Sequence, residues 1–143
     1  MFSPSQEQVR RFFCEAWAKH QSDRLLTPLE SQAVDWMIEH PEYHGDLSDV
    51  DAAIAAQYTV EGGRTNPFLH LSMHLSVTEQ VSIDQPRGIK AAVERLARQR
   101  QSLHEAHHEV MEALGEMVWA AQRSGKPFDG QAYIDRILMR AGR

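Results

Sequence analysis

Apolar residues recur at intervals of three and four along most of this chain. Because an α-helix turns once every ~3.6 residues, that interval places them on one face of a helix. Near the N-terminus, the residues with this spacing are Val9, Phe12, Phe13, Ala16 and Trp17. No segment shows the sustained two-residue alternation of a half-buried strand, and no internal repeat is visible. The pattern therefore predicts an all-α protein.

Cap residues predict where the helices begin. Ser3-Pro4-Ser5-Gln6 and Thr27-Pro28-Leu29-Glu30 each combine a capping hydroxyl, an early proline and a residue that closes a capping box. The second helix has one apolar face and ends before Pro41, since the residue before a proline avoids the helical region. That face consists of Leu29, Ala33, Trp36, Met37 and His40.

The remaining signals predict a short third helix over residues 48–58, a turn at residues 61–64 and a short helix near the C-terminus. The apolar positions of that last helix are Tyr133, Ile134, Ile137 and Leu138. In total we expect about six or seven helices. At 143 residues, they should form a single compact bundle and one domain over residues 1–143.

The segment of residues 66–88 contains the central helix of this prediction, which ends at residues 83–86. Asn66 and Pro67 give it a cap and a first-turn proline. Its apolar residues form two ridges on roughly opposite sides, which is typical of a helix with little exposed surface. His70 and His74 lie on the second ridge, one helical turn apart.

A fifth helix follows Pro86 and directs Ile89, Ala92, Val93 and Leu96 inward. Ser102 and Glu105 form another capping pattern, so a sixth helix begins there or the fifth continues through a bend; the sequence leaves both open. The core positions predicted for the sixth helix are Leu103, Val110, Leu114, Val118 and Ala121.

Histidines and a glutamate at four-residue spacing predict a metal site. His104, His108 and Glu112 lie on one side of the sixth helix. If this side faces His70 and His74, four imidazoles and a carboxylate converge between the central and sixth helices, as in metal-binding bundles. Such ligands suit Fe, Zn, Ni, Cu or Mn. A Glu-x-x-His step occurs once, at Glu105, and catalytic residues stay unknown.

The alternative hypothesis is that these histidines are structural and that the protein is a non-enzymatic interaction or regulatory module with no cofactor. A buried imidazole then needs a hydrogen-bond partner, since leaving it unpaired costs about 1–3 kcal/mol. We expect His40 and His44 to be hydrogen-bonders at a helix end and a turn. His107 falls in the middle of the predicted core stripe, so it is either a buried hydrogen-bonder or a ligand in place of His108.

Composition narrows the class of partner. A formal net charge of −5 disfavours a nucleic-acid binder, which needs excess cations to neutralise phosphates. No apolar run reaches the ~20 residues of a membrane span and no signal-peptide core is visible, so we expect a cytoplasmic protein. Cys14 is the sole cysteine and is expected to be a packed, unreactive thiol. The remaining partners are another protein or a second copy of the chain.

Charged faces on the last helices suggest an internal pairing. Acidic residues form a stripe on the sixth helix, and basic residues between Arg87 and Arg100 form a face on the fifth. We expect these faces to pair with each other. The acidic stripe consists of Glu105, Glu109, Glu112 and Glu116.

Three segments carry a family resemblance: NPFLHLSMHLSVTEQVSIDQPRGI, FFCEAWAKH before it and EVMEALGEMVWAAQRSGKPFD after it. With them the chain resembles, over nearly its whole length, a bacterial family catalogued as domain of unknown function 1841. The resemblance implies a small cytoplasmic helical protein. It implies no activity, and no catalytic residue is carried over from it.

Overall fold

A computed structural model of the chain describes residues 5–59 and 65–142. These residues form α-helices joined by short loops and contain no strand, which confirms the predicted all-α class. The helices are α1 (Gln6–Gln21), α2 (Pro28–Ile38), a 3-10 helix (Pro41–Tyr43), α3 (His44–Leu47), α4 (Val50–Ala55), α5 (Pro67–Ile83), α6 (Ile89–Arg100), α7 (Leu103–Ser124) and α8 (Gly130–Ala141). None of these helices is long and apolar enough to cross a membrane.

Local capping accounts for the start of several helices. Thr27 and Glu30 form the predicted reciprocal box, with Thr27 Oγ1 accepting the Glu30 N–H at 3.1 Å. In α1 the box instead joins Ser5 to Gln8, so the predicted closure by Gln6 is wrong. The predicted cap Ser3 and first-turn Pro4 lie outside the described residues, as does the turn predicted at residues 61–64.

The chain divides into two compact units, Met1–Leu75 and Ser76–Arg143, here called the first and second unit. The boundary falls inside α5. A single domain over the whole chain stays a prediction. In the first unit, the core side chains of α1, α2, α3 and α5 include Phe13, Trp17, Met37, Leu47, Phe68 and Leu71. Leu29 was predicted to join them but is 53% exposed, because it lies in the first turn of α2.

The second unit packs α6, α7 and α8 against one another. Ile89, Ala92, Val93 and Leu96 are buried, as predicted for the fifth helix. That helix and the next are separate, since Gln101 adopts a left-handed conformation with φ 55° and Ser102 caps α7. Tyr133 of α8 is fully buried and donates its hydroxyl proton to Gln80 Oε1 at 2.8 Å.

The buried face of α7 differs from the prediction. Leu103 and Val118 were expected in the core and are 55% and 40% exposed. The observed face instead combines small side chains with a histidine and methionines. The spacing of the aliphatic residues alone therefore predicted a face that is rotated about the helix axis from the observed one. Its residues are Ala106, His107, Val110, Met111, Ala113 and Met117.

Candidate functional site

His40 occupies the break between α2 and the 3-10 helix of the first unit. Pro41 prevents helical continuation, and His40 takes φ −128° and ψ 67°. Its ring is 2% exposed, and its Nδ1 lies 2.7 Å from the Trp36 carbonyl oxygen. His44 Nε2 similarly lies 2.8 Å from the Met37 carbonyl oxygen. Both histidines thus bond to carbonyls near the end of α2, which confirms the hydrogen-bonding role predicted for them.

Three imidazoles of the first unit lie in mutual contact. His70 and His74 project from successive turns of α5, with ring centroids 4.8 Å apart. The His40 ring lies 4.9 Å from each of them. Trp36 stacks on the fully buried His74 at 4.1 Å, and Tyr43 stacks on His40 at 5.2 Å. The aromatic neighbours restrict both rings and give the cluster an apolar surround.

Hydrogen bonding assigns the protons of two of these rings. A carbonyl oxygen only accepts, so His40 donates its Nδ1–H to Trp36 and keeps a lone pair on Nε2. His70 Nε2 lies 3.2 Å from His40 Nε2. Because the His40 nitrogen is the acceptor, His70 donates Nε2–H in this contact. The lone pair on His40 Nε2 is therefore turned toward the cluster.

The second unit carries its own histidines on the first two turns of α7. Ser102 Oγ caps the helix by accepting the Glu105 N–H at 3.0 Å. His104 and His108 follow one turn apart, with ring centroids 4.4 Å apart in an edge-to-face arrangement. Both are partly buried. The four-residue spacing predicted from sequence thus brings these two imidazoles together.

His107 is the buried histidine of α7, with 3% exposure. Burial, together with the nearby His104 and His108, lowers its pKa to about 4, and burial is the largest of these effects. A neutral imidazole is therefore favoured at this position at neutral pH. Its burial among the core residues of α7 agrees with its place in the core stripe predicted from the sequence.

Glu112 lies on the exposed edge of α7 and forms an ion pair with Arg140 of α8 at 3.1 Å. Its side chain is 66% exposed. The acidic stripe to which it belongs is paired mainly with α8: Arg140 also contacts Glu109 and Glu116, and Arg136 contacts Glu116. The predicted partner face on α6 contributes Arg100, which binds Glu109 through two bonds of 2.6 and 3.1 Å.

A family model matches residues 5–139, which is most of the chain. The chain belongs to the family described as domain of unknown function (DUF1841). No curated protein and no solved structure matches it at a significant level. For this DUF1841 protein, the chemistry of the site therefore rests on the residues themselves.

The contribution of His40 was missed in the sequence, where it was assigned only a helix-end hydrogen bond. In the DUF1841 chain it adds a third imidazole to the pair on α5. The available signal was its place at the end of the α2 apolar face, four residues after Trp36. A histidine at this position lies on the buried side of α2. A search for ligand spacing within a single helix does not find this histidine.

Proposed function

We propose that this protein binds one transition-metal ion through His40, His74, His104 and His108. His40 and His74 belong to the first unit, and His104 and His108 to the second. A stable tetrahedral site takes four ligands, and these four imidazoles supply that number.

The observation that carries this proposal is the fixed orientation of His40. Metal-binding histidines nearly always donate the second ring N–H to a carbonyl or carboxylate, which fixes the tautomer and raises the basicity of the ligand nitrogen. His40 has this arrangement, since its Nδ1 bonds to the Trp36 carbonyl at 2.7 Å. Its buried Nε2 is thus presented as a ligand atom beside His74.

The donor set narrows the choice of ion. Neutral imidazoles suit Zn, Cu, Fe and Ni, whereas Mn prefers oxygen ligands. Four protein ligands fill a tetrahedral coordination sphere and leave no position for substrate, which is typical of structural zinc sites. We therefore propose metal binding itself, without a reaction, as the function of this site.

Metal analysis of the untagged protein tests the proposal. Purified wild type should contain about one equivalent of metal, as expected for a four-ligand site. His74→Gln, which keeps side-chain volume but changes the ligand, should lose most of this metal, and His104→Gln should behave in the same way. His20→Gln is the matched control, because His20 lies against Trp17 and outside the proposed set.

Circular dichroism of each variant establishes that it is folded before its metal content is compared. A second measurement uses Trp36, whose ring stacks on His74. Added Cu²⁺ should quench its fluorescence in wild type and His20→Gln, and much less in His74→Gln. A wild type with only trace metal that shows no quenching, or equal metal content in wild type and His74→Gln, would contradict the proposal.

A protein-interaction module is the second candidate function, and the exposure of Trp119 favours it. This indole is 59% exposed on α7 beside Val118, with the Arg123 guanidinium 5.0 Å from its ring centre. Exposed tryptophan is enriched where proteins bind one another. Light scattering over a wide concentration range tests self-association: assembly that is lost in Trp119→Ser supports it, and a monomer throughout opposes it.

A further inference from the structure

A cavity of about 250 Å³ lies between α1 and the N-terminal end of α5, within the first unit. Its apolar wall includes Val9 and Phe68. Its polar wall combines an arginine, two amides and a hydroxyl: Arg10, Gln6, Asn66 and Ser72. None of these side chains belongs to the proposed metal site.

Arg10 is a buried cation in the wall of this cavity, with 7% exposure. One of its terminal nitrogens, Nη1, donates to the carbonyls of Ala53 at 2.8 Å and Ala56 at 2.7 Å, at the end of α4. The guanidinium lies 5.4 Å from the Tyr58 ring centre and 5.5 Å from that of Phe68. These contacts on several sides fix the plane of the group.

The opposite edge of the guanidinium, formed by Nε and Nη2, has no hydrogen-bond partner among the described residues. Its Nε and Nη2 make no hydrogen bond to any residue in 5–59 or 65–142, and no carboxylate in those ranges forms an ion pair with Arg10. A buried charge lacking an opposite charge is unfavourable unless a partner is supplied.

The surroundings favour an anion at this edge. Asn66 Oδ1 accepts the N–H groups of Phe68 and Leu69 at 3.0 and 3.1 Å, which leaves its amide N–H₂ for other partners. The hydroxyl proton of Ser72 is directed to the Phe68 carbonyl oxygen at 2.7 Å, so this hydroxyl is not a donor to the anion. The first turn of α5 adds the positive end of a helix dipole.

We propose that this cavity binds a small monocarboxylate with an apolar body. Nε–H and Nη2–H of Arg10 form the fork that pairs with both oxygens of a carboxylate. Val9 and Phe68 then contact the apolar part of the ligand. The cavity is smaller than the ~300–1,000 Å³ of pockets for drug-sized ligands, so the acid is small.

Benzoate and benzamide provide the test, because they have nearly the same shape and differ in charge. Titration calorimetry at fixed ionic strength should show saturable binding of benzoate and at least about tenfold weaker binding of benzamide, which corresponds to the loss of a charge-assisted contact. Arg10→Lys keeps the charge and loses the fork, so benzoate should bind about tenfold more weakly to it.

Because Arg10 also caps α4, its substitution could unfold the first unit. Ser72→Leu therefore serves as a second variant, filling the cavity from a partly exposed helical position. It should abolish benzoate binding, while Ser76→Leu, one turn further along α5, should retain it. Equal affinity for benzoate and benzamide, unchanged benzoate affinity in Ser72→Leu, or no saturable benzoate binding by folded wild type would overturn the proposal.

Discussion

The contact between His40 and His70 sets up a competition for one nitrogen. His70 donates Nε2–H to His40 Nε2, and the proposed ion uses the same His40 lone pair. Binding the ion therefore breaks this hydrogen bond, whose net contribution is typically about 1 kcal/mol. In this view His70 is a displaced donor, whereas its four-residue spacing from His74 predicted a ligand.

Replacing His70 separates these two roles. If His70 is a displaced donor, His70→Phe should bind Zn²⁺ as tightly as wild type or up to about fivefold more tightly, because no hydrogen bond is lost on binding. Competition with a chromophoric chelator measures this affinity. If His70 is a ligand, affinity should instead fall by at least about tenfold, and the role predicted from sequence would be correct.

Cys14 should react slowly with alkylating reagents. Burial, together with the carboxylates of Asp49, Glu15 and Asp46, raises the pKa of its thiol to about 11, and burial is the largest of these effects. Since the thiolate is the reacting species, iodoacetamide at pH 8 should modify Cys14 about a hundredfold more slowly than an unperturbed thiol. Mass spectrometry measures the rate, which should keep increasing up to about pH 11. Modification as fast as that of glutathione would contradict this environment.

At the scale of the helix, the sequence predicted helix caps better than it predicted which helix faces are buried. The Thr27 box, the Asn66 cap and the Ser102 cap each depend on residues within one turn, so the sequence contains the whole interaction. Which face of α7 is buried depends on the helices that pack against it, and here spacing placed Val118 in the core incorrectly. A further helix, α3, formed where only a turn was predicted.

The same distinction applies to the candidate site. The pairs His70–His74 and His104–His108 are neighbours within single helices, so four-residue spacing is enough to predict each contact. His40 approaches the first pair from a different element, after a break imposed by Pro41. Glu112 had suitable spacing, yet it pairs with Arg140, a residue 28 positions away. The spacing of residues within one helix predicts neither of these longer-range contacts.

Two neighbouring residues test the corrected face of α7. Met117 is 7% exposed and Val118 is 40% exposed. Met117→Ala should lower the free energy of unfolding by about 2–5 kcal/mol, because it creates a cavity in the core. Val118→Ala should change it by less than about 0.5 kcal/mol, as at a typical surface position. Urea denaturation compares them, and a larger loss in Val118→Ala would favour the face predicted from the sequence.

At the scale of the whole molecule, metal binding should stabilise the folded chain. The proposed ligands come in pairs, one pair from each unit. An ion bound only by the folded chain stabilises it by about 2.7 kcal/mol when free metal exceeds the dissociation constant a hundredfold. This stabilisation should extend to each helix that supplies a ligand.

Removing the metal should therefore loosen the helices that supply its ligands. Hydrogen exchange followed by mass spectrometry resolves peptides of α2 and α5 in the first unit from peptides of α7 in the second. Adding a chelator to metal-loaded wild type should speed exchange in both sets, and the same chelator should have little effect on His74→Gln, which lacks a ligand. Faster exchange in the first unit alone would show that the ion is held there, by His40, His74 and their neighbour His70. That outcome would contradict the ligand roles proposed for His104 and His108 while leaving metal binding intact, because the bound metal would still protect the helices that supply its ligands.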